Sequence, residues 1–372
     1  MDPLLWLAWF LSLFDGFTAH TSGGKDSMLT VQEAVRMLGA FGLLDRLAVL
    51  HLVLDRDRDI EDPRVEWQEV PQLAAEQAGR CGIPLGGDGG WEVWDTHLAG
   101  GRLTSREQWA GRMHYARRDF RITPDPDQPE LTVPGDLLDD MATRRKQDGG
   151  VRGFPRVRTR YCTSDWKTAV GRAWTEAVCQ QIRDEQGLRR PVRILQFMGF
   201  RAEESTERAR RPVLEYRRRI SAPTIRQTVD FLPIHDLTLR QVWQRIRESG
   251  MPYHPVYDEG SSRLSCRRCV FASRQDLSIA RRLDPVGHDA YVAVEQRIGD
   301  EFQYGRPLAS ITAQPGEAGF DVHWLTCPTC GVRVLAHVRE PRRWCPAHTD
   351  GLVPAAVGEP TGQCALFDLE TV

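Results

Sequence analysis

Lysine is almost absent from this chain. Of the 49 basic residues among 372, three are lysines, Lys25, Lys146 and Lys167, and the others are arginines. The 51 acidic residues bring the net charge to −2, so no basic excess indicates nucleic-acid binding, although a local basic patch is compatible with this balance. A lysine inside a motif is therefore more informative here than in most chains.

Long apolar runs are also missing. The run at the N-terminus extends from Leu4 to Phe14, whereas a bilayer-spanning helix needs about 20 residues. A secretory signal begins with positive charge, but the early charge here is Asp2. Asp2 followed by Pro3 is typical of a helix N-cap and first helical position. We therefore expect a packed or partner-binding helix, no membrane association and a cytoplasmic protein.

The nine cysteines do not have the pattern of a disulfide-stapled domain. Their number is odd, no secretory signal accompanies them, and four of them form two CxxC pairs. In a cytosolic enzyme this spacing favours metal or redox chemistry over a disulfide framework.

Strand-like and helix-like segments alternate along the first two thirds of the chain. Phe17–His20 is strand-like, and the apolar positions after residue 30 recur at helical spacing. The apolar runs at 47–55 and 192–200 are typical of buried parallel strands. The alternation predicts an α/β fold with a doubly wound, mostly parallel sheet.

The segment SGGKDS lies between the first strand and the following helix. Its members are Ser22, Gly23, Gly24, Lys25, Asp26 and Ser27. Backbone N–H groups at a helix N-terminus bind anions, and glycines let a phosphate approach closely. The spacing is neither GxGxxG nor GxxxxGK[ST], so neither a dinucleotide fold nor the common P-loop is predicted.

SGGKDS does match the SGGxDS loop of the PP-loop ATP pyrophosphatases. This resemblance implies that Ser22–Ser27 wrap the pyrophosphate of ATP together with Mg²⁺, with Lys25 and Asp26 acting in catalysis. In that family ATP adenylylates a substrate oxygen, and a sulfur or nitrogen nucleophile then displaces AMP. Asp55, at the end of the second strand, is expected to face the nucleotide or Mg²⁺, or else to be an ordinary turn residue.

Three further segments resemble one branch of that superfamily. They are RYCTSDWK at 160–167, MGFRAEESTERAR at 198–210 and the stretch from PIHD to CRRC at 233–269. Together with the loop they resemble, in order over residues 15–300, the phosphoadenosine phosphosulfate (PAPS) reductase-like family, which includes the sulfur-inserting enzymes of DNA phosphorothioation. The resemblance implies that Arg201 and Arg208 bind phosphate or sulfate, which suits the guanidinium fork.

Two departures shift the expected activity away from reduction. The reductases that use PAPS usually have a degraded glycine loop, but SGGKDS is intact here. Their catalytic cysteine lies in a Glu-Cys-Gly-type motif, whereas Cys364 stands in TGQCALF. We therefore expect an ATP-dependent sulfurtransferase that acts on DNA, tRNA or a small molecule and receives sulfur from a cysteine desulfurase. The rivals are a sulfonucleotide reductase and a nucleotide-sensing, nucleic-acid-binding module.

Cys162, Cys266 and Cys269 match positions that hold an iron–sulfur cluster in related proteins. Thiolates suit iron, and CxxC lets two of them reach one cluster. Related reductases have a Cys-Cys pair at the first position, where this chain has Tyr161 before Cys162. Three interpretations stay open: a three-cysteine cluster, a persulfide on Cys162 with Cys266 and Cys269 as a redox pair, or buried or zinc-bound cysteines.

A second cysteine group lies near the C-terminus. It combines a CxxC pair and a CxxH pair, namely Cys327, Cys330, Cys345 and His348. Three thiolates and one imidazole fill a tetrahedral site, so a structural zinc is predicted.

These patterns predict four parts. They are an apolar helix at 1–15, the nucleotide-binding domain at 16–222, a helical segment with the CxxC loop at 223–304, and a zinc-ribbon-like module with the tail at 305–372.

Overall fold

A seven-stranded sheet organises the chain. The computed structural model describes residues 2–56, 63–86, 93–95, 109–124, 127–144, 153–218, 221, 224–264, 266–316, 318–320, 322–326 and 333–337. The strand order is β3-β4-β2-β1-β7-β9-β8, and every neighbouring pair is parallel except β8 with β9. The predicted α/β fold with a mostly parallel sheet is confirmed.

The strands of this sheet are β1 (Gly16–Thr21), β2 (Leu47–Val53), β3 (Val93–Asp95), β4 (Arg112–Arg117), β7 (Val192–Phe197), β8 (Leu214–Tyr216) and β9 (Arg226–Phe231). Two antiparallel pairs lie outside it: β5 (Arg121–Ile122) with β6 (Val133–Pro134), and β10 (Val322–Thr326) with β11 (Arg333–His337).

The helices are α1 (Pro3–Ser12), α2 (Lys25–Gly39), α3 (Val70–Arg80), α4 (Leu137–Thr143), α5 (Tyr161–Thr163), α6 (Ala169–Gln186), α7 (Thr206–Ala209), α8 (Leu239–Ser249), α9 (Arg274–Leu283) and α10 (Pro285–Ile298). A π-helical turn, Ser164–Thr168, joins α5 to α6.

Helices cover both faces of the sheet. On one face, Phe17 and Val49 pack with the apolar sides of α2, α3 and α8. On the other face, Ala48 and Leu50 pack with α6 around Trp174. Because successive strand residues point to opposite faces, the continuous apolar runs of β1 and β2 serve both layers.

The carboxyl end of β1 is a switch point of the topology. The sheet continues through β2 on one side of β1 and through β7 on the other. Doubly wound sheets bind ligands at such a point. The residues that follow β1, β2 and β7 are therefore the ones positioned for a site.

The helical segment predicted at 223–304 begins with a strand and not with a helix. The chain first forms β9, which pairs with β7 in the central sheet, and α8 begins only at Leu239. The sheet therefore continues past the predicted boundary at 222. The other boundaries stay predictions, and the four predicted zinc ligands lie outside the described residues.

Helix α1 begins as the sequence predicts. The Asp2 side chain accepts a hydrogen bond from the Leu4 N–H at 2.8 Å, and Pro3 occupies the first turn. Leu11 is fully buried in the core, whereas Leu5 is 66% exposed on the outer face. Within the described residues, no helix has the length and apolar character that crossing a bilayer requires.

The packing of α1 predicts unequal effects of two leucine truncations. Leu11→Ala should lower the free energy of unfolding by about 2–5 kcal/mol, because it leaves a cavity in the core. Leu5→Ala, the matched control, should change it by about 0.5 kcal/mol or less. Urea denaturation followed by circular dichroism measures both. Equal effects would contradict the packed arrangement of α1.

Candidate active site

The phosphate loop, Ser22–Ser27, connects the end of β1 to the start of α2. Gly23 adopts φ +70°, a conformation that side chains rarely take, and a Cβ there would lie 3.3 Å from the Val70 carbonyl oxygen. Gly24 is the N-cap of α2, and Lys25 is its first residue. The predicted strand–turn–helix arrangement is present, and it directs the first N–H groups of α2 out of the helix end.

Ser27 holds the loop in shape. Its Oγ accepts a hydrogen bond from the Ser22 N–H at 3.0 Å and donates one to the Gly24 carbonyl at 3.0 Å. The Ser22 and Ser27 hydroxyl oxygens are 3.1 Å apart. The loop therefore takes its curvature from its own serines.

Asp26 joins two cations at the helix N-terminus. One carboxylate oxygen lies 3.1 Å from the Lys25 Nζ, and the other accepts a 2.6 Å hydrogen bond from the Arg201 Nε. Arg201 is buried, and its guanidinium also donates to Glu203 at 2.7 Å. Burial opposes the charged guanidinium, but the carboxylates outweigh it and raise the pKa of Arg201. Lys25 and Arg201, distant in sequence, thus meet at one carboxylate.

Arg208 lies one short helix beyond Arg201. Its guanidinium pairs with Glu204 and lies over the Phe200 ring, 4.6 Å from the centroid. Phe200 follows Gly199, where a Cβ would lie 3.1 Å from the Asp26 carbonyl oxygen. The loop after β7 therefore packs directly against the start of α2, with Arg201 contacting Asp26 and Arg208 on the outer side.

Asp55 is buried and organises backbone. Its carboxylate accepts hydrogen bonds from three consecutive N–H groups, those of Arg64, Val65 and Glu66, at 2.7, 2.9 and 2.8 Å. Burial and the nearby Glu66 carboxylate raise the pKa of Asp55 to about 7, against these hydrogen bonds. Both oxygens are engaged by the chain itself, as in the turn-residue alternative, and a contact with the nucleotide or Mg²⁺ stays a prediction.

The segment 64–66 links β2 to the cysteines. Glu66 accepts a hydrogen bond from the Leu54 N–H at 2.9 Å and lies 3.5 Å from the His51 ring. The Val65 carbonyl accepts from the Arg267 N–H at 2.7 Å. Since Arg267 lies inside the CxxC turn, Cys266–Cys269, the Asp55 carboxylate indirectly positions that turn.

Three cysteines predicted to act together do converge. Cys162, Cys266 and Cys269 are half-buried and pack against one hydrophobic cluster. Burial raises the pKa of Cys162 and of Cys266, and the Cys269 charge adds to the effect at both. Lys167 lies within the same group: the Cys266 charge, against burial, raises the pKa of Lys167, and Lys167 in return partly offsets the raised pKa of Cys162 and of Cys266. One ammonium thus lies among three thiols.

These cysteines do not form a ready metal site. Across the described residues, no group of three or more His, Cys, Asp or Glu side chains is arranged to hold a metal ion. A cubane iron–sulfur cluster usually takes four cysteine ligands, and this group offers three, with Lys167 among them. A cluster on these residues would therefore have one iron without a cysteine ligand, as the three-cysteine interpretation requires.

Three residues of the site escaped the sequence analysis. Lys167 lies inside the CTSDWK motif, and its rarity was the signal that could have found it. Tyr257 lies inside the 233–269 motif and accepts a hydrogen bond from the Lys25 N–H at 3.2 Å. Glu66 has no local signal, because its partners are set by the loop after β2.

Comparison with known proteins matches one part of this site. The family model described as the phosphoadenosine phosphosulfate reductase domain matches residues 156–272. This range contains the three converging cysteines and both arginines. The phosphate loop lies outside it.

Two curated relatives are PAPS reductases. The chain is 31% identical over 105 residues to phosphoadenosine 5'-phosphosulfate reductase of Erwinia tasmaniensis, and this match covers 26% of this chain and 40% of the relative. It is 39% identical over 64 residues to the reductase of Pectobacterium atrosepticum, which covers 17% and 23%. The matches thus span less than half the length of these relatives.

A solved structure adds a distant likeness. The phosphoadenylyl-sulfate (PAPS) reductase from Candida auris, in a phosphate complex, aligns with 72% of this chain and 88% of its own at 13% identity and a TM-score of 0.33. The family model thus shows that residues 156–272, the segment that carries the cysteines and the arginines, are similar to the PAPS reductase domain.

Proposed function

We propose that this protein is an ATP-dependent sulfurtransferase that adenylylates its acceptor and releases pyrophosphate. One observation carries the proposal: the intact SGGKDS loop at the start of α2, where Asp26 holds Lys25 and Arg201 together. Helix N–H groups and two cations match the charge of a pyrophosphate leaving group. The oxygens of Asp26, Ser22 and Ser27 suit Mg²⁺, which would supply further positive charge.

The first step is an attack on ATP. An acceptor oxygen attacks the α-phosphorus, and the bond from that phosphorus to the oxygen of pyrophosphate breaks. Lys25 and Arg201 stabilise the negative charge that grows on the leaving group, while the loop N–H groups orient it. The product is an adenylylated acceptor with AMP as its next leaving group.

The second step brings sulfur from the cysteines. A persulfide on Cys162 attacks the activated atom through its terminal sulfur, and AMP departs with the bonding electron pair. A thiolate of Cys266 or Cys269 then attacks the Cys162 sulfur, which releases the sulfurated acceptor and leaves a disulfide. A dithiol reductant supplies two electrons to restore the thiols. Convergence of the three thiols supports this route, because it places Cys266 and Cys269 beside the cysteine that carries the persulfide, and Lys167 partly offsets the burial that raises the pKa of Cys162 and Cys266.

The remaining parts of the proposal come from the sequence. DNA or tRNA is the acceptor, and a cysteine desulfurase supplies the sulfur in the cytoplasm. Structural zinc on Cys327, Cys330, Cys345 and His348 completes the C-terminal module. An iron–sulfur cluster on the three converging cysteines is the alternative to the persulfide.

A sulfonucleotide reductase is the second candidate. The family model covers the cysteines and arginines but not the phosphate loop, and both curated relatives described above bear a reductase name. Sulfite release from PAPS with a dithiol reductant and without ATP would favour this candidate.

Loss of the loop charges should abolish pyrophosphate release. Lys25→Met and Asp26→Asn should each lower the rate about 100-fold or more, because the first removes a cation at the leaving group and the second removes the carboxylate that holds Lys25 and Arg201 in place. The assay measures pyrophosphate and AMP from Mg-ATP with DNA or tRNA present. Asp289→Asn, at an exposed position on α10, is the matched control and should keep the full rate. Loop-independent release would argue against this site.

Protein-bound sulfur should depend on Cys162. After incubation with a cysteine desulfurase and ³⁵S-cysteine, Cys162→Ser should lose the reductant-labile label, whereas Cys81→Ala, in the core, should keep it. Anaerobically purified protein should carry substoichiometric iron. Stoichiometric iron that disappears in Cys162→Ser would establish the cluster in place of the persulfide.

A further inference from the structure

A short segment of the chain covers the phosphate loop. This tyrosine segment, residues 257–264, contacts the loop through the Tyr257 hydroxyl, which accepts hydrogen bonds from the Lys25 N–H at 3.2 Å and the Leu264 N–H at 3.0 Å. The Lys25 Nζ donates to the Ser262 carbonyl at 3.2 Å. Leu264 packs over both glycines, with side-chain carbons 3.6 Å from the positions that their Cβ atoms would take.

These contacts use groups that a phosphate would need. The Lys25 N–H is the first N–H of α2, and a phosphate oxygen that accepts it competes with the Tyr257 hydroxyl. The Lys25 ammonium likewise divides its donors among Ser262, Asp26 and an incoming anion. Phosphate binding therefore loosens the tyrosine segment at its phosphate-loop end.

Ser262, within the segment, has a second anchor besides Lys25. Ser262 donates to the Asp276 carboxylate from its N–H at 2.8 Å and from its hydroxyl at 2.9 Å. Asp276 lies in the first turn of α9, so this anchor does not depend on the phosphate loop. A change at the Tyr257 hydroxyl reaches Leu264 directly, through the hydrogen bond from the Leu264 N–H.

Cys266 lies two residues after Leu264. Two residues span about 7 Å at most, so a displacement of Leu264 would be passed on to the CxxC turn. We propose that Tyr257 is a positioning residue that couples occupancy of the phosphate loop to the placement of Cys266. This coupling, which rests on the proposed function, would make the thiols accessible for sulfur transfer only after the nucleotide has bound.

The test compares thiol reactivity with and without nucleotide. Full-length protein is treated with iodoacetamide, and alkylation of Cys266 is followed by peptide mass spectrometry with and without Mg-ATP, whose binding is measured separately by equilibrium dialysis. In the wild type, nucleotide should raise the Cys266 rate about fivefold, the equilibrium shift expected from one intramolecular hydrogen bond. The rate at Cys179, a fully buried residue of α6, should not change.

Two tyrosine variants isolate the hydroxyl. Tyr257→Phe keeps the edge-on ring contact with Trp243, at 5.1 Å between centroids, and loses both hydrogen bonds. Its Cys266 rate should be high without nucleotide and change little on binding. Tyr253→Phe removes a hydroxyl that donates to Asp258 on the same stretch, and it should respond like the wild type.

The outcomes separate the two proposals. ATP binding without a change at Cys266 in the wild type, or a full response in Tyr257→Phe, would overturn the coupling and leave the proposed function intact. Absence of ATP binding to the wild type would overturn the proposed function and the coupling with it.

Discussion

The shared carboxylate of Asp26 is the interaction on which the site depends. It lies at the first turn of α2, where a negative charge is favoured, and it draws Arg201 from the loop after β7 and Lys25 from its own helix. Arg201 is buried, so loss of Asp26 would leave Glu203, an exposed carboxylate, to pair with a buried charge. The ion pair therefore fixes the distance between the ends of β1 and β7 as well as the electrostatics of the loop.

A second carboxylate extends the arrangement to the cysteines. Asp55 holds three N–H groups of the segment 64–66, and Val65 in turn accepts from Arg267 in the CxxC turn. The phosphate loop and the thiols thus rest on adjacent strands through short chains of hydrogen bonds. A change of charge or shape at the phosphate loop or at the thiols is therefore expected to shift these hydrogen-bonded groups together.

The sequence analysis predicted the strands and helices that are marked by a local pattern of residues. The β1–loop–α2 unit, β2 and β7 follow from apolar runs and glycine positions, and Lys25, Asp26 and Arg201 meet where the motifs place them. It failed at β9, because the inward positions of that strand are polar. Arg226 and Asp230 are buried there with ion-pair partners on α6 and near β8, so no apolar alternation marks the strand.

The role of Asp55 was hidden for a related reason. A carboxylate at the end of a parallel strand has the same sequence pattern whether it faces a ligand or holds a loop. The choice depends on residues 64–66, whose backbone N–H groups point at it only after the loop has folded. The side chains of that loop do not indicate these backbone contacts. The sequence therefore locates Asp55 at the end of a strand but does not assign its hydrogen-bond partners.

Lysine is scarce in this chain, yet it occupies two positions of the site. Two of the three lysines, Lys25 and Lys167, lie at the phosphate loop and among the thiols, in a chain that uses arginine almost everywhere else. A guanidinium is broad and planar and demands a bidentate partner, whereas an ammonium is a compact point charge. Lys25 is only 4% exposed between Ser262 and Asp26, a space that suits the smaller cation. The Lys25 ammonium contacts Asp26 and the Ser262 carbonyl, and the Lys167 ammonium lies among the three thiols. A compact charge at the end of a side chain suits both places better than a planar guanidinium.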